Sequence, residues 1–192
     1  MNDVLHIITP LYRFEFLKPI YQSLPNSNNI IWHISKSKER EDILDEVILK
    51  DTRVKIYNVD CNDNEPYKKR IQVLNNITSG YFCFIDDDTI LHPNMYQIFE
   101  QKSSVNFIGM IIGQQIDKSN KIRLQPNIPK YTKIDTGNVL SHTDCLKKVQ
   151  WPLTYTKGKS QRDSIFWTDV YEYFNKQCIL LTEPISYYNK LR

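Results

Sequence analysis

The chain's 192 residues carry a formal net charge of only +3, with 41% hydrophobic and 24% charged residues. That is enough chain for one domain with a real core, and too little positive charge for a dedicated nucleic-acid surface. No stretch approaches the roughly 18 to 20 apolar residues of a membrane span, and the apolar stretch after Met1 is too short for a secretory leader. Cys61, Cys83, Cys145 and Cys178 are far apart with no Cys-x-x-Cys pair. They read as free, reduced thiols, which points to a cytoplasmic setting.

In chain order, residues 4–9 read as a first strand stopped by Pro10, followed by a short helix over 14–23. Ile30 to Ile34 is a second strand. Ser37 is placed to cap a helix over 38–50, with Ile43, Leu44, Val47 and Ile48 on one face. Arg53 to Val59 makes a third strand, and Tyr67, Ile71, Leu74 and Thr78 mark the inner face of a helix that Gly80 ends. Tyr81 to Ile85 is a strand apolar on both faces, and a helix begins near Pro93. Beyond residue 102 the alternation stops: strands are expected over 105–115, 122–125, 139–142 and 177–181, with helices over 143–149 and from a Ser160–Asp163 capping box to about Lys176. The expected fold is α/β in a single domain, 1–192. Residues 1–102 form a parallel, nucleotide-binding half and 103–192 a mixed-sheet half.

The most informative junction is Asp86-Asp87-Asp88, set at the carboxyl end of the buried run Tyr81–Ile85. In open α/β sheets ligands bind beyond that end of the strands. Three adjacent carboxylates repel one another and call for a counter-charge, and a divalent cation shared with phosphate oxygens supplies one. A solvated acidic turn ahead of the Pro93 helix is the plainer alternative.

These residues resemble the glycosyltransferases of the GT-A fold. The resemblance is carried by Ile8-Thr9-Pro10-Leu11-Tyr12-Arg13 after the first strand and by Gly80 to Asp88 leading into an Asp-x-Asp motif. Asp135-Thr136-Gly137-Asn138 and Gln161-Arg162-Asp163 before an aromatic-rich helix extend it, so it covers most of the chain. It implies a nucleotide-sugar donor, most often a uridine diphosphate (UDP) sugar, a Mn²⁺ or Mg²⁺ ion on the diphosphate, and a glycan or other hydroxyl acceptor. Carried onto this sequence, Asp88 is the metal ligand and Asp86 a second metal or ribose contact, while Asp87 orients the donor sugar. Thr9, Pro10, Tyr12, Arg13, Ser35, Lys69 and Arg70 line the donor pocket, with Lys68 in the same basic cluster. The chain departs from many relatives at Ser35-Lys36, where they carry an acid that binds the base.

On the acceptor side, the resemblance gives Asp163 the role of general base in an inverting transfer. Such a base is needed because a sugar hydroxyl is a poor nucleophile until its proton leaves. The same carboxylate also closes the Ser160-x-x-Asp163 capping box. Asp135, Gly137, Asn138 and Trp151 are acceptor-binding candidates, and Tyr155 and Trp167 add flat faces for a sugar ring; turn formation and core filling are the alternatives for these groups. Two other functions compete: a sugar nucleotidyltransferase, weakened by the absence of glycine in Thr9–Arg13, and a non-catalytic binding protein that keeps the fold.

Overall fold

A computed structural model describes residues 3–40, 44–63, 65–130, 134–153 and 162–192. The apolar runs become strands β1 (Leu5–Pro10), β2 (Ile30–Ser37), β3 (Val54–Val59), β4 (Tyr81–Phe84), β5 (Ile90–Leu91), β6 (Met110–Ile116), β7 (Ile122–Leu124), β8 (Val139–His142) and β9 (Cys178–Tyr187). Helices α1 (Leu17–Ser23), α2 (Glu46–Lys50), α3 (Pro66–Leu74), α4 (Pro93–Ser104) and α5 (Arg162–Tyr173) connect them. The strands form one sheet in the order β3-β2-β1-β4-β8-β6-β9-β5, with β7 paired to β6. The β3-β2-β1-β4 portion is entirely parallel, while β8 runs antiparallel to both β4 and β6. The expected α/β architecture, parallel first and mixed second, is what forms.

Both faces of the sheet are covered, which is why β1 and β4 are buried along their whole length. One face packs Leu5, Ile7, Tyr81 and Cys83 against Leu17, Ile20, Met95 and Phe99. The other packs Ile8, Phe82 and Phe84 against Val73, Trp151, Phe166 and Trp167. Gly80 enters β4 at φ +94°, and a Cβ there would collide with the Val4 carbonyl that receives the Tyr81 N–H at 2.8 Å. Only glycine permits that approach.

Several elements differ from expectation. Ser37 ends β2 and donates its hydroxyl to the Cys61 carbonyl, while the helix that follows is capped by Asp45, which accepts from the Val47 N–H. Among the described residues this helix covers only 46–50, and Val47 is exposed. A local cap outcompetes a distant one because it directly satisfies the first free N–H groups. On α3 the buried stripe is Lys69, Arg70, Val73 and Leu74: Leu74 is inward as expected, Tyr67 and Ile71 are only half-buried against the core, and Thr78, beyond the helix, is exposed. A run of apolar letters predicts the inward face only when no cation is drawn inward by acids. The 105–109 segment leaves α4 through Asn106 at φ +50°, so β6 starts at Met110. The last strand extends to Tyr187 because β6 and β5 both pair with it. The Ser160 cap lies outside the described residues.

Candidate functional site

Strands β1 and β4 are parallel neighbours in register Ile8 to Phe84, so their carboxyl ends open side by side. The loop after β1 therefore meets the aspartate triplet. Asp87 is fully buried; its Oδ2 accepts from the Tyr12 and Arg13 backbone N–H groups at 2.5 and 2.7 Å, and its Oδ1 from Arg13 Nε at 2.9 Å and from Arg13 Nη2. Arg13 Nη1 continues to Asp88 Oδ2 at 2.9 Å. The same oxygen of Asp88 receives Arg192 Nε at 2.6 Å. Arg192 arrives because β9 pairs with the short β5 that directly follows the triplet.

Asp86 turns the other way and pairs with Arg70 Nη2 at 2.7 Å. Arg70 is buried on α3, stacks its guanidinium near Trp151 and Phe84, and reaches Asp163 with Nη1 at 3.5 Å. Its Nε has no partner among the described residues. Burial pushes the Asp86 carboxyl up, opposed by Arg70 and reinforced by Asp135, Asp88 and Asp87. Asp163, in the first turn of α5, is pushed up to about 6, first by burial, with Arg70 opposing and Asp86 and Asp135 adding to the rise. That value suits a group that must accept a proton near neutral pH.

Two clefts meet at Arg70 and Pro66. A volume of about 450 Å³ is bounded by Tyr12, Arg13, the three aspartates, Tyr188, Asn189 and Arg192. A second, of about 370 Å³, is bounded by Asn62, Glu65, Tyr67, Trp151, Arg162 and Asp163. The structure thus brings Tyr12, Arg13, Arg70 and the triplet to one cleft and Trp151 and Asp163 to the other.

The remaining candidates are placed differently. Thr9 and Ser35 are fully buried in the sheet, where Thr9 Oγ1 accepts from Trp32 Nε1 and Ser35 bonds the Thr9 carbonyl. Pro10 ends β1 and pairs with Ser35. Lys69 is also enclosed; its Nζ bonds the Leu11 carbonyl at 2.7 Å and Asp63 at 3.1 Å, and lies 4.0 Å from the Tyr12 ring centre. Lys68 pairs with Glu65. Asp135 caps the 3-10 turn Thr136–Asn138 by accepting from the Gly137 N–H, pairs with Arg123, and donates its own backbone N–H to Asn138 Oδ1 at 3.0 Å. Gly137 and Asn138 are buried, and a Cβ on Gly137 would strike Gln115 Nε2. Trp151 is buried and stacks on Phe166 at 4.5 Å, and Trp167 lies flat against Phe82. Tyr155 lies outside the described residues.

Tyr188, Asn189, Arg192, Tyr67 and Arg162 bound the clefts without having been singled out for that role. Arg162 lies in the Gln161-Arg162-Asp163 run, and its guanidinium sits 3.9 Å from the Tyr67 ring centre. For Arg192 no local signal existed, since its approach depends on strand pairing.

The oxygen-only chemistry of Asp86 and Asp88 suits Mg²⁺ or Mn²⁺, which commonly take one or two carboxylates and complete their shell with phosphate and water. No cluster of three His, Cys, Asp or Glu side chains suited to a metal occurs among the described residues. The Asp86 side chain remains 38% exposed, and Arg192, the partner of Asp88, is half-exposed.

No protein-family model matches the chain, and no curated protein matches it in sequence. Among solved structures, Staphylococcus aureus TarS residues 1–349 are similar, with a TM-score of 0.72 at 14% identity over 96% of this chain and 60% of that one. The same fragment in complex with UDP-GlcNAc gives 0.73 at 15% identity, covering 96% and 58%. A longer TarS structure gives 0.74 at 15%, covering 96% and 36%. This likeness establishes a GT-A-like fold. The chain spans 60% or less of the length of these TarS structures. No described helix is long and apolar enough to cross a membrane.

Proposed function

We propose that the chain is a glycosyltransferase that moves a sugar from a nucleoside diphosphate donor, of the UDP-sugar class, onto a hydroxyl of a glycan or other acceptor, with inversion at the anomeric carbon. The observation that carries this reading is the pair of adjoining clefts, one holding Asp86–Asp88 and the other Asp163, joined through Arg70. The TarS fragment crystallised with UDP-GlcNAc shares the fold and supports the choice of donor class.

In this reading the donor lies along the larger cleft, with the Tyr12 ring beside the base and Arg13 and Arg192 beside the diphosphate. Asp86 and Asp88 would hold a Mn²⁺ or Mg²⁺ ion, which when bound neutralises charge on the departing diphosphate. The acceptor hydroxyl enters from the second cleft. Asp163 takes its proton as the oxygen attacks the anomeric carbon, and the nucleoside diphosphate leaves from the opposite face. Arg70 keeps the two carboxylates of its ion pairs apart and leaves Asp163 able to gain and lose a proton. The base of the nucleotide is left without the acid many relatives carry, so recognition there falls to Tyr12 and to backbone groups.

Two variants test the roles separately. With Mn²⁺ present, Asp88→Ala removes measurable UDP binding by calorimetry. Asp163→Asn keeps UDP affinity within about threefold and lowers transfer by about a hundredfold or more, the range of a lost general base. Intact transfer in Asp163→Asn would show the base assignment to be wrong. Slow hydrolysis of a UDP-sugar by the wild-type chain separates a transferase from a protein that only binds nucleotides.

A further inference from the structure

The middle aspartate of the triplet has a different part from its neighbours. Asp87 is fully buried, and its two oxygens receive four hydrogen bonds: two backbone N–H groups on Oδ2 and the Arg13 guanidinium edge on Oδ1. A carboxylate offers about four acceptor sites, so none remains for a cation or a sugar hydroxyl. We propose that Asp87 is a positioning residue that acts on the nucleoside diphosphate only through Arg13 and the loop 11–13, holding both in the geometry that receives the donor. The proposal rests on the transferase reading above.

The surroundings of the loop explain why such a clamp is needed. Thr9 to Arg13 contains no glycine, so the backbone cannot wrap a phosphate as glycine-rich loops do. Affinity for an anion has to come from a side-chain cation, and a free arginine would lose rotamer entropy on binding. Here the guanidinium is fixed beforehand, with one edge on Asp87 and Nη1 on Asp88, while the side chain keeps 26% of its surface open at the cleft wall. The loop backbone is tied from two other directions: the Leu11 N–H donates to the Ser35 carbonyl at 2.8 Å, and the Leu11 carbonyl accepts from the enclosed Lys69 at 2.7 Å. Strand β2, α3 and the turn after β4 thus hold Leu11 to Arg13 in place, and of these three anchors Asp87 alone also grips the arginine side chain.

The oxygens divide the work in a way that mutation can separate. In Asp87→Asn, an amide oxygen at the Oδ2 position still accepts the two backbone N–H groups, while the amide nitrogen faces the guanidinium and cannot accept from it. The test is UDP calorimetry with Mn²⁺ on wild type, Asp87→Asn, Arg13→Gln and the double variant, with melting curves for each and donor KM and kcat for those that turn over. Each single change is expected to weaken UDP binding about tenfold or more, as for loss of charge-assisted hydrogen bonds. The double variant should bind within about twofold of Arg13→Gln alone, because both changes remove one shared interaction. Donor KM should rise more than kcat falls. Asp87→Ala should lose the loop as well, with a further drop in melting temperature; if it does not fold, Asp87→Asn carries the test. Wild-type affinity in Asp87→Asn, or losses that multiply in the double variant, overturns the proposal while leaving the transferase reading standing. A wild-type chain that binds no nucleoside diphosphate overturns both.

Discussion

Arg70 stands between two acids, 2.7 Å from Asp86 and 3.5 Å from Asp163. A buried guanidinium keeps its charge, so its effect on a nearby carboxyl is to hold that carboxyl's proton affinity down. Around Asp163 the groups that count are Arg70 and Arg162, which favour the ionised form, and Asp86 and Asp135, which oppose it together with burial. The outcome, about 6, sets a sign that can be checked: with Asp163 as the proposed base, which works only when ionised, kcat/KM should climb about tenfold per pH unit below about 6 and level off above it. Arg70→Gln removes the favourable cation and should move that limb to higher pH, whereas Asp135→Asn should move it lower. A limb that ignores both substitutions would assign the proton to another group.

At the scale of elements, the parallel strands β1, β2 and β3 are joined by more than backbone pairing. His6 Nε2 meets the Ser79 carbonyl at 2.9 Å, His6 Nδ1 meets His33 Nε2 at 2.9 Å, and His33 Nδ1 meets the Tyr57 hydroxyl at 3.0 Å. If the Ser79 carbonyl fixes the proton of His6 on Nε2, then His33 donates to His6 and accepts from Tyr57, and every atom of the row is satisfied with both rings neutral. Burial holds His6 below its usual value and His33 down to about 3. The unfolded chain, with its histidines near 6.5, therefore binds protons that the fold refuses, so stability is full above about pH 6.5 and falls as pH drops below it. Between pH 7 and 5 the melting temperature should fall by about 4–8 °C from His33 alone, and His33→Asn should flatten that slope in a differential scanning measurement.

For the whole molecule, the site exists only where three distant parts of the chain close on one sheet edge: the loop after β1, the triplet after β4, and the segment after β9. A ligand bridging them binds the folded state alone and stabilises it by mass action. UDP with Mn²⁺ at about a hundredfold excess over its dissociation constant should raise the melting temperature by about 5–10 °C, and Asp88→Ala should abolish the shift. A shift from Mn²⁺ alone as large as that from the pair would show that the cation is held without the diphosphate.

The sequence by itself determined the parallel half and the place of its acids. Both follow from local rules: a run such as Tyr81–Ile85 has one low-energy environment, and the residues after it must emerge at the sheet's carboxyl edge. It also marked Tyr12, Arg13, Arg70 and Asp163, whose neighbours in the chain share their destination. What tertiary structure alone decided was which charge faces which. Lys69 and Arg70 point inward because Asp63 and Asp86 await them, and Asp87 turns to the loop while Asp88 takes Arg13 and Arg192. Such pairings span up to 104 residues of chain, from Asp88 to Arg192, and depend on strand order and register, which no short window of residues contains.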